Sequence, residues 1–462
     1  KLEESIMEKE TKNNIKNKSR RNFFKMGGGL LTGALSGKIL KGQDENSKKT
    51  KKEEKNIIRY KRLGRTEFKA SDISMGTTRF KHPNIARFAY DHGVNYFDTA
   101  EGYHNGNAEK NLGKALKHMD RNKVFITTKI HFGKDETKES LLKRFDKCQQ
   151  RLDTDYIDAL YMHSVKDVDH LNHKGFHEAA KKLKQEERLR FIGLSSHGPH
   201  NDDQDSMEKV LCAAAEDGRF DLMLLVYNFM NKEAGNNILK ACKKNDVGTT
   251  AMKTSPGVLN FEPVDSDNLT KSQEKIVQRL MDIKGYSRER AIRGMRNSVN
   301  DKEELKKIKK FAKKYELDSE LEFYKTSIKW VISNPDMHTA CISFNNFKQL
   351  NTLLPLSGTE LSYLEKKSLD EYNRIFNSEY CRHGCNECFQ ECANKVSVSR
   401  VMRYAYYFQC QDREKEAMTK YDKLDQKAEN CFACDAPCIS ACPYDVDVPL
   451  NMIKAHDLLS LT

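Results

Sequence analysis

Residues 94–119, VNYFDTAEGYHNGNAEKNLGKALKHM, contain the pattern that decides the fold. The segment begins with a short apolar run, VNYFDT (94–99), and ends with an amphipathic run, AEKNLGKALKHM (108–119). A short run that is apolar on both faces predicts a buried strand, and apolar residues spaced three and four apart predict a helix. The segment therefore predicts one strand–helix unit of a parallel sheet.

The same unit recurs along the chain. The predicted strands are 72–77, 94–99, 123–129, 156–162, 189–195, 220–226, 246–252 and 337–343, and helical patterns lie between them. Eight such units predict an α/β fold, a (β/α)8 TIM barrel, over residues 57–372. A doubly wound open sheet is the alternative, but no G-x-G-x-x-G follows the first strand. The long charged segment 262–318 is predicted to be an insertion before the last strand.

Four residues that can move or steer protons follow the predicted strands. Asp98 ends the second strand, Tyr103 follows five residues later, Lys129 ends the third strand and His163 follows the fourth. In such a barrel the C-terminal ends of the strands meet on one face, where the chemistry takes place. The sequence therefore predicts that these four side chains form one catalytic group.

Each of the four has a chemical role in reducing a carbonyl. Tyr103 can give a proton to the carbonyl oxygen, although its ordinary pKa is about 10. Lys129 is expected to lower that pKa because an ammonium stabilises the phenolate, and Asp98 can hold Lys129 charged and in place. His163 can donate a hydrogen bond to the substrate oxygen.

Several of these segments resemble the aldo-keto reductase superfamily, over roughly residues 57–360. The resemblance implies that Asp98, Tyr103, Lys129 and His163 form its catalytic tetrad, that NADP(H) or NAD(H) donates hydride, and that the substrate is a small carbonyl or sugar-like compound. The segments that carry the resemblance are YKRLGRTEFKASDISMGT (60–77), FDTAEGYHNGNAEKNLGKAL (97–116), VFITTKI (124–130), DALYMHSV (158–165) and FIGLSSHG (191–198).

The cofactor-binding half matches this family less well than the catalytic half. Leu224 stands where many members have the glutamine that contacts the nicotinamide amide, and Asn345 stands where a basic residue holds the 2′-phosphate. Without that charge, the choice between NADP and NAD stays open. The cofactor contacts that the resemblance implies are Ser195, Ser196, Tyr227, Lys253, Asn345 and Asn346.

Eight of the 13 cysteines lie in two runs within residues 373–462. The runs are followed by similar segments, CANKVSVS (392–399) and CPYDVDVP (442–449), which indicates an internal repeat. The pattern resembles the two-cluster ferredoxin module, in which the last cysteine of each run binds the other 4Fe-4S cluster. Zinc and disulfides are the alternatives. The predicted ligands are Cys381, Cys385, Cys388, Cys392, Cys431, Cys434, Cys438 and Cys442.

Two other parts of the sequence yield structural predictions. The aromatic stripe MRYAYYF (402–408), between the two runs, is predicted to pack against the clusters or the barrel. Cys341, inside the last strand, is predicted to be a buried apolar residue.

The N-terminal segment has the layout of an export signal. SRRNFFK (19–25) precedes an apolar, Gly-rich run that is too short to span a bilayer, which takes about 20 apolar residues. The heptad resembles a twin-arginine signal. We therefore expect residues 1–37 to be that signal and 38–56 a disordered linker. Export by the twin-arginine (Tat) translocon to the periplasm or cell envelope is implied, with no stable transmembrane anchor.

Charge and composition exclude one class of partner. The net charge is +13, but charged residues make up 32% of the chain and the lysines are spread along the helices. This distribution indicates a solvated surface, and no motif indicates a nucleic-acid partner.

The leading functional hypothesis is an exported iron–sulfur oxidoreductase that interconverts carbonyls and alcohols by hydride transfer, with Tyr103 as acid and base. The alternative is an electron-transfer or substrate-binding subunit whose barrel is a non-catalytic scaffold. In either case a redox partner protein is expected. A third hypothesis is that the clusters are only structural.

Overall fold

The computed structural model describes residues 56–199, 204–257, 264–293, 298–299, 302–317, 319–411 and 413–460. The predicted signal and all but the last residue of the predicted linker lie outside these ranges, as does part of the predicted insertion. None of the described helices is long and apolar enough to cross a membrane.

Eight parallel strands form a closed barrel, and each predicted strand is present with ends shifted by at most two residues. The last strand pairs with the first, Ala340 opposite Ile73, so the TIM-barrel prediction is confirmed and the open sheet is wrong. An antiparallel hairpin, β1 (Tyr60–Arg62) and β2 (Lys69–Ser71), precedes the barrel. The barrel strands are β3 (Ile73–Gly76), β4 (Tyr96–Asp98), β5 (Phe125–Ile130), β6 (Ile157–Met162), β7 (Leu189–Ser195), β8 (Leu222–Val226), β9 (Gly248–Met252) and β12 (Thr339–Ser343).

Helices connect successive strands, and their ends follow local sequence signals. The side chains of Thr137 and Ser206 accept hydrogen bonds from the first turns of the helices that follow them. Gly218 ends one helix with a φ of 81°, which glycine adopts at no steric cost. These helices are α1 (Pro83–Asp91), α2 (Asn107–Leu116), α3 (Lys138–Leu152), α4 (Lys174–Gln185), α5 (Met207–Asp217) and α6 (Lys232–Lys244).

The predicted insertion contains helices of its own. Within residues 262–318 lie α7 (Lys271–Lys284), α8 (Arg288–Arg293) and α9 (Lys302–Lys314), with a short strand pair, β10 (Val264–Asp265) and β11 (Ser298–Val299). After this segment, α10 (Glu320–Ser333) leads to β12. The insertion contacts the C-terminal part of the chain, since the hydroxyl of Tyr286 lies 3.0 Å from that of Ser460.

The barrel is filled by aromatic and aliphatic side chains. Tyr96, Phe125 and Tyr161 are fully buried inside it. Leu63, in the turn between β1 and β2, packs in the same apolar cluster. The Tyr96 and Phe125 rings stack with centroids 5.4 Å apart. The interior is therefore a packed core, which leaves the C-terminal ends of the strands to form the site.

The C-terminal helices have a separate apolar core but belong to the same compact unit as the barrel, residues 53–462. Val396, Val401, Tyr421 and Met452 are buried in this core. The helix that crosses the predicted boundary at residue 372 packs against the insertion. The helices after β12 are α11 (Phe347–Leu353), α12 (Tyr363–Phe376), α13 (Val398–Cys410), α14 (Glu414–Asp422) and α15 (Val448–Leu459).

Candidate functional site

The four residues of the predicted catalytic group converge at the C-terminal end of the barrel. Asp98 ends β4, Lys129 lies near the end of β5, and His163 directly follows β6. Tyr103 begins a short turn, Tyr103–Gly106, five residues beyond Asp98. Parallel strands place these positions on one face, so residues 65 apart in sequence become neighbours.

Asp98 and Lys129 form a buried ion pair. The Lys129 Nζ donates to Asp98 Oδ1 at 2.5 Å and to the carbonyl oxygen of Thr99 at 2.7 Å. Thr127 Oγ1 donates to the other Asp98 oxygen at 2.8 Å, so both carboxylate oxygens are used. Burial alone would lower the pKa of Lys129, but the charge of Asp98 raises it above its ordinary value. Lys129 is therefore a fixed positive charge at neutral pH.

Tyr103 lies between this charge and His163. The Lys129 Nζ is 5.1 Å from the centroid of the Tyr103 ring, and the Tyr103 and His163 rings meet edge to face at 5.8 Å. A single small group can therefore contact the phenol and the imidazole together.

The pKa values of this pair shift in opposite directions. Burial raises the pKa of the Tyr103 phenol, although Lys129 lowers it. The expectation that Lys129 makes the phenol more acidic is thus correct for that one interaction, but burial has the larger effect. Burial and the positive charge of Lys129 hold the pKa of His163 well below its ordinary value. At neutral pH Tyr103 keeps its proton and His163 is uncharged.

A cavity of about 970 Å³ opens beside the four residues. Its walls come from the ends of the barrel strands and from α13 and α14 of the C-terminal part. The Tyr406 hydroxyl, on α13, donates to the carbonyl oxygen of Ser255 at 3.0 Å and so links the two parts. The volume lies at the upper end of the range for small-molecule sites.

Three of the six predicted cofactor contacts line this cavity: Ser195, Lys253 and Asn346. The Ser195 Oγ accepts a hydrogen bond from the Ser164 N–H at 3.0 Å. Leu224 also lines the cavity, at the position where the family often has glutamine. Apolar and polar groups thus border one space, and this combination suits a nicotinamide ring and its amide.

The other three predicted contacts, Ser196, Tyr227 and Asn345, are not among the residues that line the cavity. The Tyr227 ring packs on Trp330 with centroids 4.9 Å apart, and its hydroxyl accepts from Asn334 Nδ2 at 2.6 Å. Their assignment to the cofactor stays a prediction.

Several groups in the cavity were missed by sequence reasoning. Cys341 lies in its wall, where burial and the charge of Asp98 raise the pKa of the thiol well above its ordinary value. The stripe predicted to be core also supplies Tyr404, Tyr406 and Tyr407 to the cavity, together with Arg403. A stripe of aromatic residues gives no sign of this, because core packing and cavity lining share one helical period.

The first cysteine run is completed by a residue of the second run. Cys381, Cys385 and Cys388 line a small cavity of about 20 Å³ together with Cys442. Burial, followed by the neighbouring thiols of Cys385, Cys388 and Cys442, raises the pKa of Cys381 well above its ordinary value. These four side chains therefore lie near one another.

The second run shows the reciprocal arrangement. Burial and then the thiols of Cys392, Cys438 and Cys434 raise the pKa of Cys431 to about 11. Cys392 is the last cysteine of the first run. The fourth cysteine of each run therefore lies near the first three cysteines of the other run. The resemblance to the two-cluster ferredoxin module implies the same partition, and the binding of clusters stays a prediction.

The backbone makes equivalent hydrogen bonds to Cys392 and Cys442, the fourth cysteines of the two runs. The Val396 N–H donates to the Cys392 sulfur and the Val446 N–H donates to the Cys442 sulfur, both at 3.4 Å. Such N–H···S bonds stabilise thiolate ligands of iron–sulfur clusters. The eight cysteines of the two runs form no disulfide, and no three His, Cys, Asp or Glu side chains of the described residues form a set that could hold a single metal ion.

Comparison with known proteins identifies the barrel. Over 122 residues the chain is 34% identical to a probable voltage-gated potassium channel subunit beta from Arabidopsis thaliana, covering 23% of this chain and 37% of that protein. It is 27% identical over 239 residues to the aldo-keto reductase AFTS1 of Alternaria alternata, covering 41% and 63%. The chain thus spans from about a third to less than two thirds of the length of these relatives.

A solved structure, the holo form of aldo-keto reductase AKR11C1 from Bacillus halodurans, superposes with a TM-score of 0.49 at 18% identity, covering 68% of this chain and 96% of that one. The family model for aldo/keto reductases matches residues 63–374 and ends before the first cysteine run. Because that match spans more than half of the 462 residues, the chain belongs to the aldo/keto reductase family.

Proposed function

We propose that this protein is a NAD(P)-dependent oxidoreductase that interconverts a carbonyl and an alcohol. The observation that carries the proposal is the convergence of Asp98, Tyr103, Lys129 and His163 beside one large cavity. Family membership supports the same reaction. A bound nicotinamide nucleotide would supply or accept the hydride, with Ser195 and Asn346 among the residues that hold it.

The four side chains divide the remaining work. Tyr103, which keeps its proton at neutral pH, donates that proton to the substrate oxygen in reduction and takes it back in oxidation. His163, uncharged, donates a hydrogen bond to the same oxygen and fixes its position. Lys129, held by Asp98, stabilises the negative charge that develops on the phenol oxygen as the proton leaves.

Replacing Tyr103 by Phe tests this function. We expect the rate of NAD(P)H-dependent reduction of a panel of small aldehydes and ketones to fall by about 10² to 10⁴-fold, since general acid catalysis contributes that much. Tyr363→Phe, the same change at an exposed position, serves as the control. Turnover that survives in Tyr103→Phe would contradict the role of this residue.

The Tyr103→Phe variant also distinguishes the oxidoreductase from the alternative, a non-catalytic scaffold. Tyr227 and Asn345 do not line the cavity, which favours a scaffold that binds a substrate or a partner without hydride chemistry. Such a scaffold would exchange electrons with its redox partner equally well with Tyr or Phe at position 103. Wild-type protein that reduces no carbonyl with added NADH or NADPH would favour this second function.

We propose further that the cysteine groups bind two 4Fe-4S clusters. The two sets of four sulfurs, each completed by the other run, support this. Such clusters would exchange single electrons with a redox partner protein, and direct exchange with a two-electron hydride donor is not part of the proposal. Iron and sulfide analysis after anaerobic purification tests it, and colourless, iron-free protein or bound zinc would contradict it.

We also propose that the protein is exported folded by the twin-arginine pathway to the periplasm or cell envelope. The support is the sequence SRRNFFK and the apolar run after it. Replacing Arg20 and Arg21 by Lys should retain the protein in the cytoplasm, measured by cell fractionation. Unchanged export of that variant would refute this localisation.

A further inference from the structure

Cations from the C-terminal helices line the cavity that contains the catalytic group. Arg400 and Arg403 lie on α13, Arg413 lies between α13 and α14, and Lys420 lies on α14. Lys253, from the end of β9, lines the same cavity on the barrel side. These groups belong to two parts of the chain that are far apart in sequence, so only the fold brings them together.

Among the described residues, only some of these cations form an ion pair with a carboxylate. Glu416 pairs with Arg413 at 2.5 Å and with Lys420 at 2.7 Å. Arg403 and Lys253 have exposed fractions of only 4% and 8%, and no carboxylate of the described residues lies within ion-pair distance of either one. A buried cation without an anionic partner is unfavourable, so these two groups favour a negative charge that the described residues do not supply.

The contacts of Lys253 do not replace such a charge. Its Nζ lies 3.2 Å from His197 Nδ1 and 5.5 Å from the centroid of the Tyr407 ring. An imidazole nitrogen and an aromatic face compensate an ammonium only in part. Burial and the positive charges of Arg403 and Arg413 hold the pKa of Lys253 well below its ordinary value, and an anion at this place would reverse part of that effect.

This group of cations lies within electrostatic reach of the catalytic residues. The charge of Arg413 lowers the pKa of Tyr103, although burial raises it more. The charge of Lys420 adds to burial and to Lys129 in lowering the pKa of His163. A ligand held by Lys253 and Arg403 would share one cavity with Tyr103 and His163.

We propose that Lys253 and Arg403 bind an oxyanion of the substrate, a carboxylate or a phosphate. The inference rests on the proposed oxidoreductase function and names its substrate class: carbonyl compounds, and the matching alcohols, that carry a negative charge near the reacting carbon. The C-terminal part thereby acts in substrate selection as well as in holding the cysteine groups. The nucleotide phosphates are the other source of such an anion, and the test separates the two sources.

Matched pairs of substrates test the charge requirement. Succinic semialdehyde is compared with butyraldehyde, and D-glyceraldehyde 3-phosphate with D-glyceraldehyde. In Arg403→Met and Lys253→Met, kcat/KM is expected to fall at least tenfold for the charged member of a pair and less than threefold for the neutral member. Arg403→Lys should retain most of the activity, because it keeps the charge. Equal losses for both members would overturn the proposal.

The control removes one positive charge outside the cavity. Lys415 is an exposed residue of α14 that does not line the cavity, so Lys415→Met changes the net charge by the same amount. It should leave the ratio of charged to neutral kcat/KM unchanged. A drop as large as that in Arg403→Met would reduce the effect to long-range electrostatics and would overturn the assignment to Arg403.

A binding measurement tests the anion site independently of the proposed oxidoreductase activity. Titration calorimetry on the anaerobically purified full chain measures the affinity for succinate and for inorganic phosphate, without turnover. We expect at least a tenfold weaker affinity in Lys253→Met and in Arg403→Met. If wild type binds these anions but reduces no carbonyl, the anion site stands and the oxidoreductase function fails. If both variants bind them as wild type does, the anion site fails.

Nucleotide affinity distinguishes the two sources of the anion. The dissociation constants of NADPH and NADH, measured by fluorescence, should change less than threefold in both variants. A tenfold weakening would assign the anion to the cofactor and overturn the assignment to the substrate. Circular dichroism and the thermal midpoint confirm folding, and if Arg403→Met does not fold, Lys253→Met and Arg403→Lys decide the outcome.

Discussion

Lys129 keeps its charge in a fully buried position because Asp98 lies 2.5 Å from its Nζ. Removing one partner of such a pair leaves an uncompensated charge, which typically costs about 3–5 kcal/mol. The neighbouring groups respond to this fixed charge in different ways. Tyr103 retains its proton because burial has a larger effect than Lys129, whereas His163 loses its proton because burial and Lys129 act in the same direction.

The lowered pKa of His163 predicts a dependence of stability on pH. Below about pH 6.5 the unfolded chain protonates this imidazole and the folded chain does not, so the free energy of unfolding falls by up to about 1.4 kcal/mol per pH unit. His163→Gln removes that loss. The gap in thermal midpoint between wild type and variant should therefore shrink from pH 7.5 to 5.5. His118→Gln, at an exposed position, is the control, and a gap that widens on acidification would contradict the assignment.

At the scale of elements, the two cysteine runs form one repeat. Lys395 and Asp445 occupy equivalent positions, three residues after the fourth cysteine, and have φ values of 50° and 54°. A helix begins six residues after each of those cysteines, at Val398 and at Val448. The repeated sequence therefore produces repeated geometry, and the pseudo-symmetry exchanges the fourth cysteines between the groups.

This exchange predicts which cysteine variants lose the same iron. Cys442→Ser should remove about half of the iron and sulfide, because one of the two proposed four-iron clusters loses a ligand. Cys381→Ser combined with Cys442→Ser should lose no more, whereas Cys392→Ser combined with Cys442→Ser should lose both clusters. Iron and sulfide per chain and the absorption spectrum measure this. Cys212→Ser, outside the runs, is the control, and complete loss in the Cys381/Cys442 pair would refute the grouping.

At the scale of the whole molecule, the barrel and the first cysteine run meet through two glycines. A Cβ on Gly198 would lie 2.1 Å from the Cα of Gly384, and one on Gly384 would lie 2.7 Å from the Cβ of Met207. The Met207 N–H donates to the carbonyl oxygen of Gly384 at 3.2 Å. The backbones approach so closely that only glycine fits, and this contact fixes the cysteine groups relative to the cavity.

Gly198→Ala tests that contact, with Gly218→Ala as its matched control. Both glycines have a φ near 80°, but a Cβ on Gly218 meets no atom within 4 Å. The control should cost about 1–2 kcal/mol, from backbone strain alone. Gly198→Ala should cost at least twice as much, lower the thermal midpoint further and release iron to a chelator faster. Equal effects of the two changes would show that this interface tolerates a methyl group.

The sequence by itself determined the eight strands, the barrel and the positions of Asp98, Tyr103, Lys129 and His163 at the strand ends. It did so because strand and helix periods are local, and parallel strands bring their ends to one face whatever the details of packing. The two cysteine runs were equally evident, since their spacing is local, and their role as iron ligands stays a prediction.

Only the tertiary structure decided what else faces the cavity. It placed Arg403 beside Lys253, packed Tyr227 against Trp330 and brought Cys442 to the first cysteine run. Each of these neighbours is set by how helices dock on the barrel and on one another, and docking depends on shape over the whole surface. The sequence around a side chain does not encode that docking, so local patterns could not predict which cations would line the cavity.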